Sequence, residues 1–190
     1  MRPPAALLML ALLPAACAAI PPPPDTARMP ANAFGLNLDP DVGAINQAAW
    51  AFASPANTAN RPIEAARAVA AVDYLGGELN TNPRWVRMDT LTRQDMLVAR
   101  AQLREVVGIA PAAPSQAVVD QLLAAANALQ QNNPAQAAAA LQGPTFTAPP
   151  GQVLNRLAHM PYLPGVNAVT QRAEQQELPG GNNAPCIVCG

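Results

Sequence analysis

From Asp89 to Gly108 the chain reads "DTLTRQDMLVARAQLREVVG", and the choice between helix and strand turns on this segment. Met96, Ala99, Leu103 and Val106 recur at steps of three and four, the spacing of one helix face. Gly108 supplies a stop. The segment predicts a helix from about Asp89 to Val107. No stretch alternates at period two, and β-branched residues are sparse, so strands are not expected.

The same periodicity extends outward. Asp39 followed by Pro40 predicts a capped helix start, with Val42, Ile45, Ala49 and Phe52 on one face. "SPANTAN" breaks that helix. Asn60 is expected to cap the next, with Pro62 early, a stripe of Ile63, Ala66, Ala70 and Tyr74, and Gly76-Gly77 as its end. "ELNTNPRWVRM" reads as loop. A fourth helix starts near Ser115 and carries Val118, Leu122, Ala125 and Leu129 inward. Asn133-Pro134 opens a short alanine helix that stops at Gly143-Pro144. Two more are expected around Pro150 to Met160 and Gly165 to Glu177. The fold class is therefore all-α, an irregular antiparallel bundle of six or seven short helices over residues 39–178. "VVDQLLAAANALQQNNPAQAAAALQG" resembles a tetratricopeptide-type helix pair. No second copy follows at a period of about 34 residues, so it reads as a generic antiparallel hairpin.

Composition limits what such a bundle can do. The 190 residues are 51% hydrophobic, but alanine supplies much of that and aromatics are only 4%. Alanine buries little area per residue, so the core should be thin. Charged residues are 12%, about half the usual share of roughly 25%. The formal net charge of −1 gives no case for nucleic acid. All 11 basic residues are arginine, which points to GC-rich coding before chemistry. One histidine, two serines and three cysteines form a poor catalytic inventory.

The N-terminus, "MRPPAALLMLALLPAACAAIPPPP", reads as an export signal. Arg2 gives the positive start, and Ala5 to Leu13 is an apolar core too short to span a bilayer. Cys17, behind Ala15 and Ala16, resembles the acylated cysteine of a bacterial lipoprotein lipobox, although Pro14 stands where leucine is usual. That resemblance implies a signal peptide over 1–16 and lipid attachment at Cys17. Ala18 in place of aspartate implies the periplasmic face of the outer membrane. Ala16-Cys17-Ala18 also fits an ordinary cleavage site after residue 18, which would give a soluble periplasmic or secreted chain. Residues 17–38, with Pro21 to Pro24, read as a Pro-rich linker that stands the domain off its anchor.

Three features are candidate sites. At the C-terminus, in a Gly-, Asn- and Pro-rich tail over 179–190, "APCIVCG" places Cys186 and Cys189 three apart, which in an oxidising compartment suggests a local disulfide. No helix follows to activate a thiolate, and a zinc site would lack ligands. His159 reads as a helix-end residue meeting free carbonyls. Arg84, Trp85, Arg87, Arg93, Arg100 and Arg104 form a candidate interaction patch for lipid phosphates or an acidic partner, with Arg93, Arg100 and Arg104 expected opposite Met96 and Leu103. The bland reading is a solvated face, with Trp85 plugging the bundle.

These readings give an exported, lipid-anchored, non-enzymatic helical protein of a Gram-negative bacterium, with a binding or structural role at the cell envelope. Its expected partners are the membrane, through the anchor, and an envelope protein. No cofactor or metal is expected. The alternative is a soluble periplasmic enzyme or thiol-redox protein using the C-terminal cysteines.

Overall fold

A computed structural model describes residues 24–177. Cys17, Cys186 and Cys189 lie outside the described residues, as do the signal peptide and the whole of the tail over 179–190. Seven helices follow in order: α1 (Pro40–Ala53), α2 (Pro62–Thr81), α3 (Thr90–Val107), α4 (Ser115–Gln130), α5 (Pro134–Ala140), α6 (Pro150–Ala158) and α7 (Pro164–Glu177). Short 3-10 turns at Pro55–Asn57 and Pro83–Trp85 link α1 to α2 and α2 to α3. Among the described residues there is no strand, only one isolated antiparallel bridge between Ile109 and Phe146. The architecture is all-α.

Helix α2 is the axis. It packs on α1, α3, α4 and α6, while α7 closes against α1 and α3, and α5 folds back on α4. The sequence of α2 explains its place. Every residue from Ala68 to Gly77 is buried, and most are alanine, valine or glycine. A helix apolar on all sides belongs in the interior, and small side chains let four neighbours approach it at once.

Helix ends follow local chemistry. Asp39 accepts from the N–H groups of Asp41 and Val42 at 3.0 and 3.2 Å. Asp89 accepts from the N–H of Thr92 at 2.7 Å, and Gly108 ends α3 in the left-handed region at φ 87°. Asn133 caps α5 through the N–H of Gln136.

Three expectations need correction. Gly76-Gly77 does not end α2, which runs on to Thr81. A Cβ on Gly77 would lie 2.5 Å from the Asp25 carbonyl oxygen and 2.9 Å from the Thr26 Cα; one on Gly76 would lie 2.9 Å from Arg100 Cδ. These glycines serve close approach, which offsets their cost of about 1 kcal/mol each inside a helix. Asn60 does not cap α2. It sits at φ 56° and donates its N–H to the Ala158 carbonyl, and Arg61 takes the cap position without a side-chain bond.

The third concerns the stretch read as linker. Residues 25–29 lie on the bundle, with Ala27 and Met29 buried. The Asp25 carboxylate accepts from the Ser115 N–H at the start of α4, which has no side-chain cap of its own. Arg28 and Gln116 exchange two further hydrogen bonds, at 2.7 and 3.3 Å. Asp25 therefore caps α4 from 90 residues away, a negative charge where the helix dipole favours one.

Candidate functional site

The arginines of the expected patch fall into separate settings. Arg84 is exposed and pairs with Asp39 at 2.7 Å and Asp41 at 3.2 Å, its guanidinium 4.9 Å from the Trp85 ring centre. Trp85 is buried and donates from Nε1 to Asp41 at 3.1 Å. Tyr74 donates its hydroxyl to the same carboxylate. Asp41 is thus a buried acceptor for three donors, tying α1 to α2 and to the turn before α3. Burial, then the bond to Asp41, pushes the Tyr74 phenol far above its ordinary range. Burial also raises Glu78. Burial works against ionised Asp39, yet the Arg84 hydrogen bond and the N–H of Val42 outweigh it and hold that carboxyl low. Arg87 is exposed, and Arg93 is half-buried with Nη2 3.2 Å from Thr90 Oγ1.

Arg104 is not on a solvated face. It is buried, and all five of its N–H donors are placed. Nε and Nη2 each reach Asp73 at 2.7 Å, Nη2 also reaches Ser115 Oγ at 3.0 Å, and Nη1 reaches the carbonyls of Pro111 and Ala113 at 2.9 Å. The physical reason is angular. At about 100° per residue, Arg100 lies only about 40° from Met96 around α3, and Arg104 about 80°. Neither is opposite the core stripe. Arg100 lays its stem over Gly76 and donates from Nη1 to the Asp25 carbonyl at 3.0 Å and to Ser115 Oγ at 3.3 Å. Burial holds its guanidinium below the usual arginine value; the Asp73 carboxylate acts against this, and Arg104 adds to it.

Beside these two arginines the bundle leaves a cleft of about 470 Å³. Leu97, Arg100, Ala101, Arg104 and Glu105 of α3 form one wall. Gly108, Ile109 and Pro111 follow on the turn, and Thr147 and Arg156 face them. The Thr147 hydroxyl is engaged, donating to the Gly108 carbonyl at 3.1 Å. Arg156, on α6, is half-buried and has no hydrogen-bond acceptor or carboxylate partner for its guanidinium among the described residues. Its Nη1 occupies the space a Cβ on Gly108 would take. Gly108 therefore ends α3 and also seats Arg156.

Sequence reasoning missed Arg156, Gly108 and Thr147 as site residues. Arg156 is the lone charge in "VLNRLA", a signal readable only once α6 is known to face α3. His159 closes α6 on its exposed side, with Nδ1 2.9 Å from the Asn155 carbonyl oxygen. Among the described residues no three His, Cys, Asp or Glu side chains are grouped to hold a metal ion, and no helix is long and apolar enough to cross a membrane. No protein-family model matches this chain, and neither a curated protein nor a solved structure is significantly similar to it.

Proposed function

We propose that this chain is an exported, lipid-anchored helical protein with a binding role at the periplasmic face of the bacterial outer membrane. The observation that carries the binding role is the cleft between α3 and α6. Smaller clefts of about 350 Å³ beside Trp50 and Arg61 and about 200 Å³ between α3 and α7 also open on the bundle, but this one, of about 470 Å³, stands beside an arginine without a partner among the described residues. That size lies within the roughly 300–1,000 Å³ of small-molecule sites. The envelope placement is supported by Arg2, the apolar core Ala5 to Leu13, and Cys17 behind two alanines. Three acyl chains on the mature cysteine would make membrane attachment nearly permanent.

The anchor is tested by fractionating cells that express the wild type and Cys17→Ser. The wild type is expected in the detergent-extracted membrane fraction with an intact mass that includes lipid. Cys17→Ser is expected in the soluble periplasm. A wild-type chain that begins at Ala19 and carries no lipid mass would overturn the anchored reading.

A further inference from the structure

The cleft has two chemically distinct halves. Leu97, Ala101 and Pro111 offer apolar surface over the buried Ile109, and arginines stand around it. The arginines are not equivalent. Arg104 has spent every donor on Asp73, Ser115 and two carbonyls, so it supplies wall rather than contact. Arg100 has hydrogen bonds only from Nη1, and Arg156 has none, among the described residues. Two guanidiniums with unused donors thus face one cleft, against the single carboxylate of Glu105. The guanidinium is a planar fork that matches a carboxylate or phosphate two bonds at a time, and it is less strongly hydrated than an ammonium.

The geometry points to a ligand with one compact acidic head, carboxylate or phosphate, on an apolar body of about the size of a short acyl chain or a pair of aromatic rings. The head meets Arg156 and the free edge of Arg100; the body lies on Leu97, Ala101 and Pro111. Glu105 at the same lining disfavours a second negative group. Gly108 is part of the specificity, because any side chain there would displace the Arg156 guanidinium from its seat. This inference rests on the cleft being the binding site, but not on the anchor, which fractionation tests separately.

The experiment uses the purified full chain and anilinonaphthalene sulfonate, a fluorescent sulfonate on an aromatic body. Saturable binding at one site is expected, with displacement by octanoate and by octyl phosphate. Octanol, which has the body without the charge, and inorganic phosphate, which has the charge without the body, should each compete at least about tenfold more weakly, the scale of one charged hydrogen bond. Arg156→Gln should weaken octanoate about tenfold with an unchanged melting temperature, while Arg87→Gln, on the exposed turn, should change it less than about twofold. A better fit to octanoate than to octyl phosphate would identify a carboxylate head, and the reverse a phosphate. Equal competition by octanol, equal competition by phosphate, no saturable probe binding, or equal effects of the two substitutions would each overturn the assignment. If the anchor holds while these fail, only the ligand class falls.

Discussion

Arg104 and Arg84 each meet aspartate at 2.7 Å, yet the two pairs do different work. Arg104 and Asp73 are buried between α2 and α3, and the guanidinium also satisfies the turn after α3 and the start of α4. Arg84 and Asp39 both stand close to half exposed. Water screens the second pair and is shut out from the first. The same contact distance therefore marks a structural joint in one place and a surface decoration in the other.

The comparison breaks most directly at Arg104. Arg104→Met strands the Asp73 carboxylate in the interior and should cost roughly 3–5 kcal/mol. The double change Arg104→Met with Asp73→Leu should recover part of that, since removing both charges removes the stranded one. Chemical denaturation of the four-member cycle reads this out. A single-substitution loss below about 1 kcal/mol would place the pair in water after all.

Gly77→Ala should come next. Alanine normally favours a helix by about 1 kcal/mol over glycine. Here its Cβ would press on the backbone of Asp25 and Thr26, so the sign should reverse, with a net loss of about 1–3 kcal/mol. Limited proteolysis should then cut between Asp25 and Met29, where the wild type resists. Unchanged stability and unchanged proteolysis would mean that residues 25–29 leave the bundle freely.

Arg84→Ala should be smaller, about 1–2 kcal/mol, because its pair with Asp39 is exposed and the buried Asp41 keeps Tyr74 and Trp85 as donors when Arg84 is removed. Its partner gives a signed pH effect. Asp39 and Asp89 both titrate below the ordinary carboxylate range, Asp39 through Arg84 and the Val42 N–H outweighing burial, Asp89 chiefly through the N–H and hydroxyl of Thr92. A carboxyl lowered by folding adds stability above its unfolded value near about 4 and loses it as pH falls through the folded value. Stability should therefore decline below about pH 4, and Asp89→Asn should flatten part of that decline. A slope identical in the variant would remove Asp89 from the account.

Helix identity was legible because its signals are local. Asp39-Pro40, Asn133-Pro134 and Gly108 mark their boundaries with two or three adjacent residues. What was not legible depends on a distant partner. Gly76-Gly77 carries the same letters whether a helix ends or another segment crosses it, and only the return of Asp25 and Thr26 decides. Arg104 looks like any surface arginine until Asp73, 31 residues earlier, is placed beside it. The cleft had the weakest signal of all. It needs Arg100 from α3, the Gly108 turn and Arg156 from α6, and no run of sequence contains them together.

The clasp of residues 25–29 has a mechanical consequence. A pull on the chain ahead of Pro24 does not reach α1 first. It reaches the Asp25 bond to α4, the Arg28–Gln116 exchange and the backbone lying on Gly77, all near the centre of the bundle. Behind the clasp, residues 30–38 hold about 30 Å of chain at full extension before α1 begins. Loading would open the clasp first, while Phe34, packed over Gly43, still holds the chain ahead of α1. The segment works as a breakaway link, so force uncovers the start of α4 and the seats of Ala27 and Met29 before it reaches any helix.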